Sequence, residues 1–286
     1  MKLLVTGAGG QLGRSLARAA AASGHEALAR THRELDVTEP AAVDAAVAAV
    51  AGGAVVNAAA YTAVDRAESE PEAAFAINAT GAGHLARACR RHGARLVHVS
   101  TDYVFDGAKA TAWTEEDPIA PLGVYGRSKA EGEQLIRAEL PEAVIVRTSW
   151  VFAAEGLNFV KTILRLAGER PVLRVVADQR GCPTDTTDLA RALLALLARP
   201  QATGLYHFCG EGETTWHGFA EAILAGARVR ERIVATRVDA ITTAEFHTPA
   251  RRPANTVLDT RKIRALGITP RPWREGLAEV LAALGA

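Results

Sequence analysis

The stretch VTGAGGQLGRSL, residues 5–16, constrains this chain more than any other. Gly7, Gly10 and Gly13 recur at every third position, directly after the aliphatic run KLLVT at 2–6 and at the mouth of a segment, 11–22, with helical spacing. A tight turn from strand to helix needs positive φ, a pyrophosphate needs close backbone approach, and a helix N-terminus offers unpaired N–H groups with partial positive charge. Strand, turn and helix in that order predict a dinucleotide cradle formed by Gly7, Gly10, Gln11, Leu12 and Gly13.

The alternation continues downstream. Short aliphatic runs at 25–30, 54–57, 95–100 and 143–148 are separated by amphipathic segments at about 40–51, 71–92 and 124–140. Each β-then-α step implies a right-handed crossover. The expected fold is α/β, a Rossmann-type doubly wound parallel sheet with a smaller α/β substrate-binding lobe. Residues 1–150 are expected to form the dinucleotide-binding domain, completed by later segments, and 151–286 most of the substrate lobe, interleaved with the first. In the second part prolines at 171, 183, 200, 249, 253, 270 and 272 loosen the pattern, although 186–198 and 215–226 keep helical spacing. Ala45 to Val64 is free of formal charge for 20 residues, but Gly52-Gly53 break it and Asn57, Tyr61 and Thr62 follow, so it reads as helix, turn and short buried strand rather than a membrane span.

With 33 basic against 32 acidic side chains the net charge is +1, which gives no electrostatic reason to expect nucleic acid or a membrane surface as partner. A small molecule fits better. Cys89, Cys182 and Cys209 form no CxxC pair, and an odd count argues against a disulfide framework, as in a reducing compartment. The opening residues enter a strand at once without the apolar segment of a secretory signal, so a cytoplasmic setting is expected. His84, His98, His207, His217 and His247 have no metal-ligand spacing and read as structural; no metal site is expected.

An acid at the end of the second strand would accept from the ribose 2′-OH of NAD and repel the 2′-phosphate of NADP. Here that position reads Arg30-Thr31-His32-Arg33, with no acid before Glu34 and Asp36. NADPH is therefore expected, with NADH at most a second choice. Ala58, Ala59 and Ala60, after the third strand, are small enough for backbone to approach the cofactor.

Tyr125 and Lys129 in VYGRSKAEGE lie four apart, hence on one helix face with Cβ atoms about 5–6 Å apart. Moving a phenol from a pKa of about 10 to neutrality requires roughly 4 kcal/mol, and a cation about 4 Å away at an effective dielectric near 20 supplies about that much. Thr101 in VSTDYVFDG adds a hydroxyl at the strand edge where doubly wound sheets bind ligands.

The Gly-x-x-Gly-x-x-Gly spacing with Thr101, Tyr125 and Lys129 resembles the extended branch of the short-chain dehydrogenase/reductase family. The further motifs VRTSWVF (146–152), NFVKTILRLA (158–167), DQRGCPTDTTDLA (178–190), GLYHFCGEGETTW (204–216) and RRPANTVLD (251–259) are similar, from end to end, to the dTDP-4-dehydrorhamnose reductase family within it. The resemblance implies NADPH-dependent reduction of the 4-keto group of dTDP-4-dehydro-β-L-rhamnose. It makes Thr101, Tyr125 and Lys129 catalytic, with Lys129 also holding the nicotinamide ribose. It places Asp36-Val37 beside the adenine, although a helix N-cap at Thr38 explains part of that stretch. Asp102, Tyr103 and Trp150 would line the sugar pocket with Thr101 and Tyr125. Trp150 also has an aromatic face suited to a hexose, and Arg251 and Arg252 have guanidinium forks suited to a diphosphate. Some members of the family carry Mg2+ at a subunit contact, but Ser15 in GRSLAR has no acid in its helix turn, which argues against the ion; a homodimer is a family-level expectation. A reductase or epimerase of another nucleotide sugar, and a non-catalytic nucleotide-binding regulator, stay open at this point.

Overall fold

A computed structural model describes residues 1–227 and 233–285. The first part runs β1 (Lys2–Thr6), α1 (Gln11–Ala22), β2 (Glu26–Arg30), α2 (Pro40–Ala48), β3 (Ala54–Asn57), α3 (Val64–Ala67), α4 (Pro71–Phe75), α5 (Gly81–His92), β4 (Arg95–Thr101), α6 (Val124–Glu139) and β5 (Val144–Thr148). It continues with β6 (Val151–Phe152), α7 (Phe159–Glu169), β7 (Val172–Val176), β8 (Arg180–Gly181), β9 (Thr184–Asp185), α8 (Thr186–Leu197), β10 (Gly204–His207), β11 (Thr214–Thr215), α9 (Trp216–Ala227), β12 (Arg237–Ile241), α10 (Arg261–Arg264) and α11 (Trp273–Ala283).

Six strands make one parallel sheet in the order β10-β5-β4-β3-β1-β2. Strand alternation gives it two apolar faces. Leu3, Val5, Val97, Val144 and Val146 pack under α1 and α8, while Leu4, Val55, Leu96 and Ile145 pack on the other face under α2, α5 and α6. The order turns between β1 and β3, so the glycine turn after β1 opens at the crevice where such sheets bind ligands. A separate core joins α7, α9 and α11 to the two-stranded β7–β12 sheet.

Two details differ from the expectation. The helix expected over 71–92 is broken by a π turn at Ala76–Thr80, where Asn78 turns inward, bonds both the N–H and C=O of Tyr61, and donates to Ser128 Oγ. The sheet also takes its edge strand β10 from a four-residue run too short to stand out by periodicity. The uncharged stretch 45–64 spans the end of α2, a turn and β3, and no helix among the described residues is long and apolar enough to cross a membrane.

Candidate active site

The glycine turn is shaped by what it must pass. Gly7 has φ +67°, and a Cβ there would lie 2.6 Å from Ala58 O and Ala59 N; at Gly13 it would lie 2.2 Å from Gly7 O. The loop carrying Ala58, Ala59 and Ala60 thus runs directly against the turn. Gly10 caps α1 without a side-chain bond, and no acid occupies the first helical turn, so the helix N-terminus presents free N–H groups to an anion. Gln11 braces the turn from outside, donating to Leu157 O (3.1 Å) and accepting from Asn158 (2.8 Å), while Leu12 packs against the core. A pyrophosphate fits these residues.

Arg30 ends β2, where its C=O accepts from Ala8 N at 2.9 Å, and Thr31 lies over Gly9. Glu34 is occupied within its own turn by the N–H and hydroxyl of Thr31, which hold its pKa below the ordinary carboxylate value. The nearest acid is therefore turned back on the chain, within reach of the Arg30 charge. Asp36 accepts from the N–H and hydroxyl of Thr38, again with a lowered pKa. The N-cap of α2 is Glu39 rather than Thr38. Val37 is buried against Gly81, so its side chain belongs to the core rather than to an open adenine surface.

Thr101, Tyr125 and Lys129 come together at the carboxyl end of β4. Gly126 makes this possible: a Cβ there would meet Tyr103 O at 2.2 Å, so α6 can lie on the segment that follows β4. Thr101 donates to Asp102 Oδ1 (2.8 Å) and accepts from Tyr103 N (3.2 Å). Burial pushes the Tyr125 phenol up to about 12, partly offset by the Thr101 hydroxyl. Lys129 is buried and pulled down to about 8 by desolvation, against which Glu133 acts. The expected Tyr125–Lys129 coupling is not the resting arrangement. Among the described residues the hydrogen bonds of Lys129 Nζ go to Val99 O (2.7 Å) and His98 Nε2 (3.1 Å), both on β4.

Asp102 lies behind Thr101 rather than on the pocket wall, 2 % exposed. Desolvation raises its pKa to about 7. Among the described residues Oδ2 has no hydrogen-bond partner, and the nearby Thr256 hydroxyl donates to Arg180 O. Tyr103 meets Tyr125 edge to face, with centroids 5.6 Å apart. Trp150 has φ +47°, a sparsely populated backbone for such a residue. Its indole stacks on Trp216 at 3.6 Å and donates to Thr256, which takes one face out of reach of a sugar. Arg252 departs from the expected diphosphate clamp: both terminal nitrogens bind the carboxylate of Asp65, at 3.0 and 2.8 Å, and close the 250–252 segment onto α3. Ser15 bonds Thr186 across α1 and α8, and among the described residues no three His, Cys, Asp or Glu side chains gather as a metal would need.

Two buried polar rows cross the sheet beneath this site, and sequence reasoning missed both. Thr6, Asn57 and His98 are in register on β1, β3 and β4, joined by Thr6 Oγ1 to Asn57 Oδ1 (2.6 Å) and Asn57 Nδ2 to His98 Nδ1 (2.9 Å). Ser100, Arg147 and His207 are in register on β4, β5 and β10. Arg147 makes two bonds to Glu133 of α6 (2.8 and 2.7 Å), Ser100 donates to the same carboxylate (2.6 Å), and the guanidinium lies 5.0 Å from the Phe105 ring centroid. A polar side chain inside an aliphatic strand, as in AVVN and LVHVS, is the signal that marks them.

The chain matches the RmlD substrate binding domain family over residues 1–285. It is 46% identical over 290 residues to a dTDP-4-dehydrorhamnose reductase of Aggregatibacter actinomycetemcomitans, covering 98% of each chain. A crystal structure of a dTDP-4-dehydrorhamnose reductase from Clostridium acetobutylicum superposes with a TM-score of 0.94 at 38% identity, covering 100% of both chains. The dTDP-4-dehydrorhamnose reductase of Bacillus anthracis, solved in complex with NADP, gives 0.92 at 36% identity, covering 99% of both.

Proposed function

Since this chain belongs to the RmlD substrate binding domain family, we propose that it is an NADPH-dependent oxidoreductase that reduces the 4-keto group of dTDP-4-dehydro-β-L-rhamnose to give dTDP-β-L-rhamnose. The observation that carries this reading is the gathering of Thr101, Tyr125 and Lys129 at the carboxyl end of β4, in the same parallel sheet whose β1 leads into the glycine turn, in a chain end-to-end similar to reductases of that name.

Gly7, Gly10, Gly13 and the α1 N-terminus would hold the pyrophosphate, and Arg30 and Arg33 the 2′-phosphate. When bound, NADPH supplies the hydride for the keto carbon. Tyr125 gives its phenolic proton to the carbonyl oxygen, so the carbonyl becomes an alcohol with one hydride and one proton added. The raised pKa of Tyr125 suits this direction, because it keeps the phenol loaded at neutral pH while an alkoxide developing opposite it is more basic still. Thr101 hydrogen-bonds the same oxygen as charge develops there. To donate to substrate it must release Asp102, and a carboxyl with a pKa of about 7 can take up a proton and bond back to Thr101 Oγ1. Lys129 would hold the ribose hydroxyls and favour the phenolate left after transfer.

Residues 1–150 then carry the cofactor and 151–286 most of the sugar site, with α8 and β10 returning to the first unit. Trp150 would place its free face against the sugar, with Tyr103 beside it. A cytoplasmic homodimer, with no nucleic acid or membrane partner, completes the proposal.

The test is NADPH oxidation, followed by nicotinamide absorbance, with enzymatically generated dTDP-4-dehydrorhamnose. Tyr125→Phe should lose at least about 100-fold in kcat with NADPH affinity near wild type. A wild-type rate in that variant would reject the assignment of the acid, and no oxidation by wild-type protein that binds NADPH would reject the substrate.

A further inference from the structure

The Thr6–Asn57–His98 row has a direction that its geometry determines. Ala59 N–H can only donate, and the Asn57 atom it reaches at 3.1 Å is therefore Oδ1, which also accepts from Thr6. The amide nitrogen then faces His98 Nδ1 and donates to it, so Nδ1 carries no proton. Burial keeps the ring neutral, with a pKa well below its ordinary value, and its one proton sits on Nε2. Nε2–H points at Lys129 Nζ, which must meet it with a lone pair while its own hydrogens serve Val99 O.

We propose that His98, its tautomer set by Asn57, is a positioning residue for Lys129: it holds the uncharged amine against β4 in the resting enzyme, and the arrival of a proton or ligand releases Lys129 toward Tyr125. Thr6 immediately precedes the glycine turn, so the row ties the cofactor cradle to the catalytic amine.

Other groups around Lys129 do not reverse this polarity. Glu133, one turn along α6, favours the ammonium, but its carboxylate is already shared by Arg147 of β5 and Ser100 of β4. Tyr125, one turn back, is neutral, Asp102 acts on Tyr125, and Glu68 at the end of α3 is bonded to Val124 N. With a pKa of about 8, Lys129 at pH 7 prefers the ammonium only about tenfold. A buried donor aimed at another donor outweighs that margin.

The consequence for turnover rests on the reductase reading, whereas the ring's proton does not, and two measurements separate them. In full-length protein labelled with 15N-histidine, ring shifts assigned by their loss in His98→Gln should show Nε2 protonated and Nδ1 bare. Asn57→Asp keeps the acceptor for Ala59 and Thr6 but replaces the amide donor with a second acceptor. It should move the ring proton to Nδ1 and leave Nε2 to accept from the ammonium. NADPH affinity, followed by nicotinamide fluorescence against pH, should then keep its strength to a pH about one unit higher. His98→Gln, whose amide can turn its oxygen to Lys129, should move the fall-off the same way. A protonated Nδ1 in the wild type, or an unchanged tautomer in folded Asn57→Asp, overturns the proposed polarity. A reversed tautomer with an unmoved fall-off overturns the positioning role. Should Asn57→Asp not fold, the wild-type shifts and His98→Gln decide the matter. Absent turnover of the 4-keto sugar would count against the reductase reading alone.

Discussion

The row through Thr6, Asn57 and His98 is neutral, while the row two residues further along β4, through Ser100, Arg147 and His207, is organised around a full guanidinium charge. Both are buried in one parallel sheet and both reach α6, the first at Lys129 and the second at Glu133. The charged row has little freedom. Arg147 holds Glu133 in two bonds, and burial, with the Arg147 charge adding to it, drives the His207 pKa down to about 3. The neutral row can exchange one donor for one acceptor without isolating a charge. A sheet can thus carry one row that locks the helix and another that places a proton.

Breaking the charged row should have the largest effect on stability. Arg147→Met leaves Glu133 buried without its main partner and should cost about 3–5 kcal/mol, read as a lower urea midpoint, while adding Glu133→Leu should restore most of it. An unchanged midpoint in the single variant would show that the rows do not differ in this way. Asp102, at the end of β4 between the site and the core, comes next. Its folded pKa of about 7 lies above the ordinary value of 3.8, so the native state keeps a proton that the unfolded chain loses in between. Stability contributed by that proton falls as pH rises through this window. Asp102→Asn should remove the slope and be more stable than wild type by about 4 kcal/mol at pH 8, the difference shrinking to a few tenths near pH 4; parallel pH–stability curves would contradict the assignment. The smallest change sharpens the neutral row. Thr6→Val removes one donor to Asn57 Oδ1, which keeps Ala59 N–H, and should cost only about 1 kcal/mol in the same melts. A loss as large as that of Arg147→Met would erase the distinction.

How much of this was legible in the sequence follows from which contacts are local. β1 to β5 and their helices announce themselves because alternation and 3.6-residue periodicity are properties of short windows. The glycine turn is legible for the same reason: Gly7 and Gly13 relieve clashes within one strand–turn–helix unit and with the loop after β3. Thr101, Tyr125 and Lys129 carry fixed spacing. The partners of these residues are what the sequence hides. Asp65 takes the fork of Arg252 from 187 residues away, Trp216 covers one face of Trp150, and His98 and Val99 O of β4 take the hydrogen bonds of Lys129. In each case residue type gave the chemistry available and distant packing decided where it is spent. His98 reads from the sequence only as a structural histidine and Asn57 only as a polar end to an apolar run, because a lone polar residue in a strand does not name its partners until its register with neighbouring strands is known.

The late origin of β10 has a bearing on how the chain is made. β5 ends at Thr148, but the strand that covers its outer edge ends at His207. At 5–20 residues per second, a ribosome needs roughly 3–12 s to add the intervening stretch of about sixty residues. Throughout that interval the nascent sheet presents β5, five consecutive buried residues long, as an unpaired edge able to recruit a strand from another chain. While residues 149–207 are being added, a completed strand therefore stands ready to pair with another chain before its own neighbour exists.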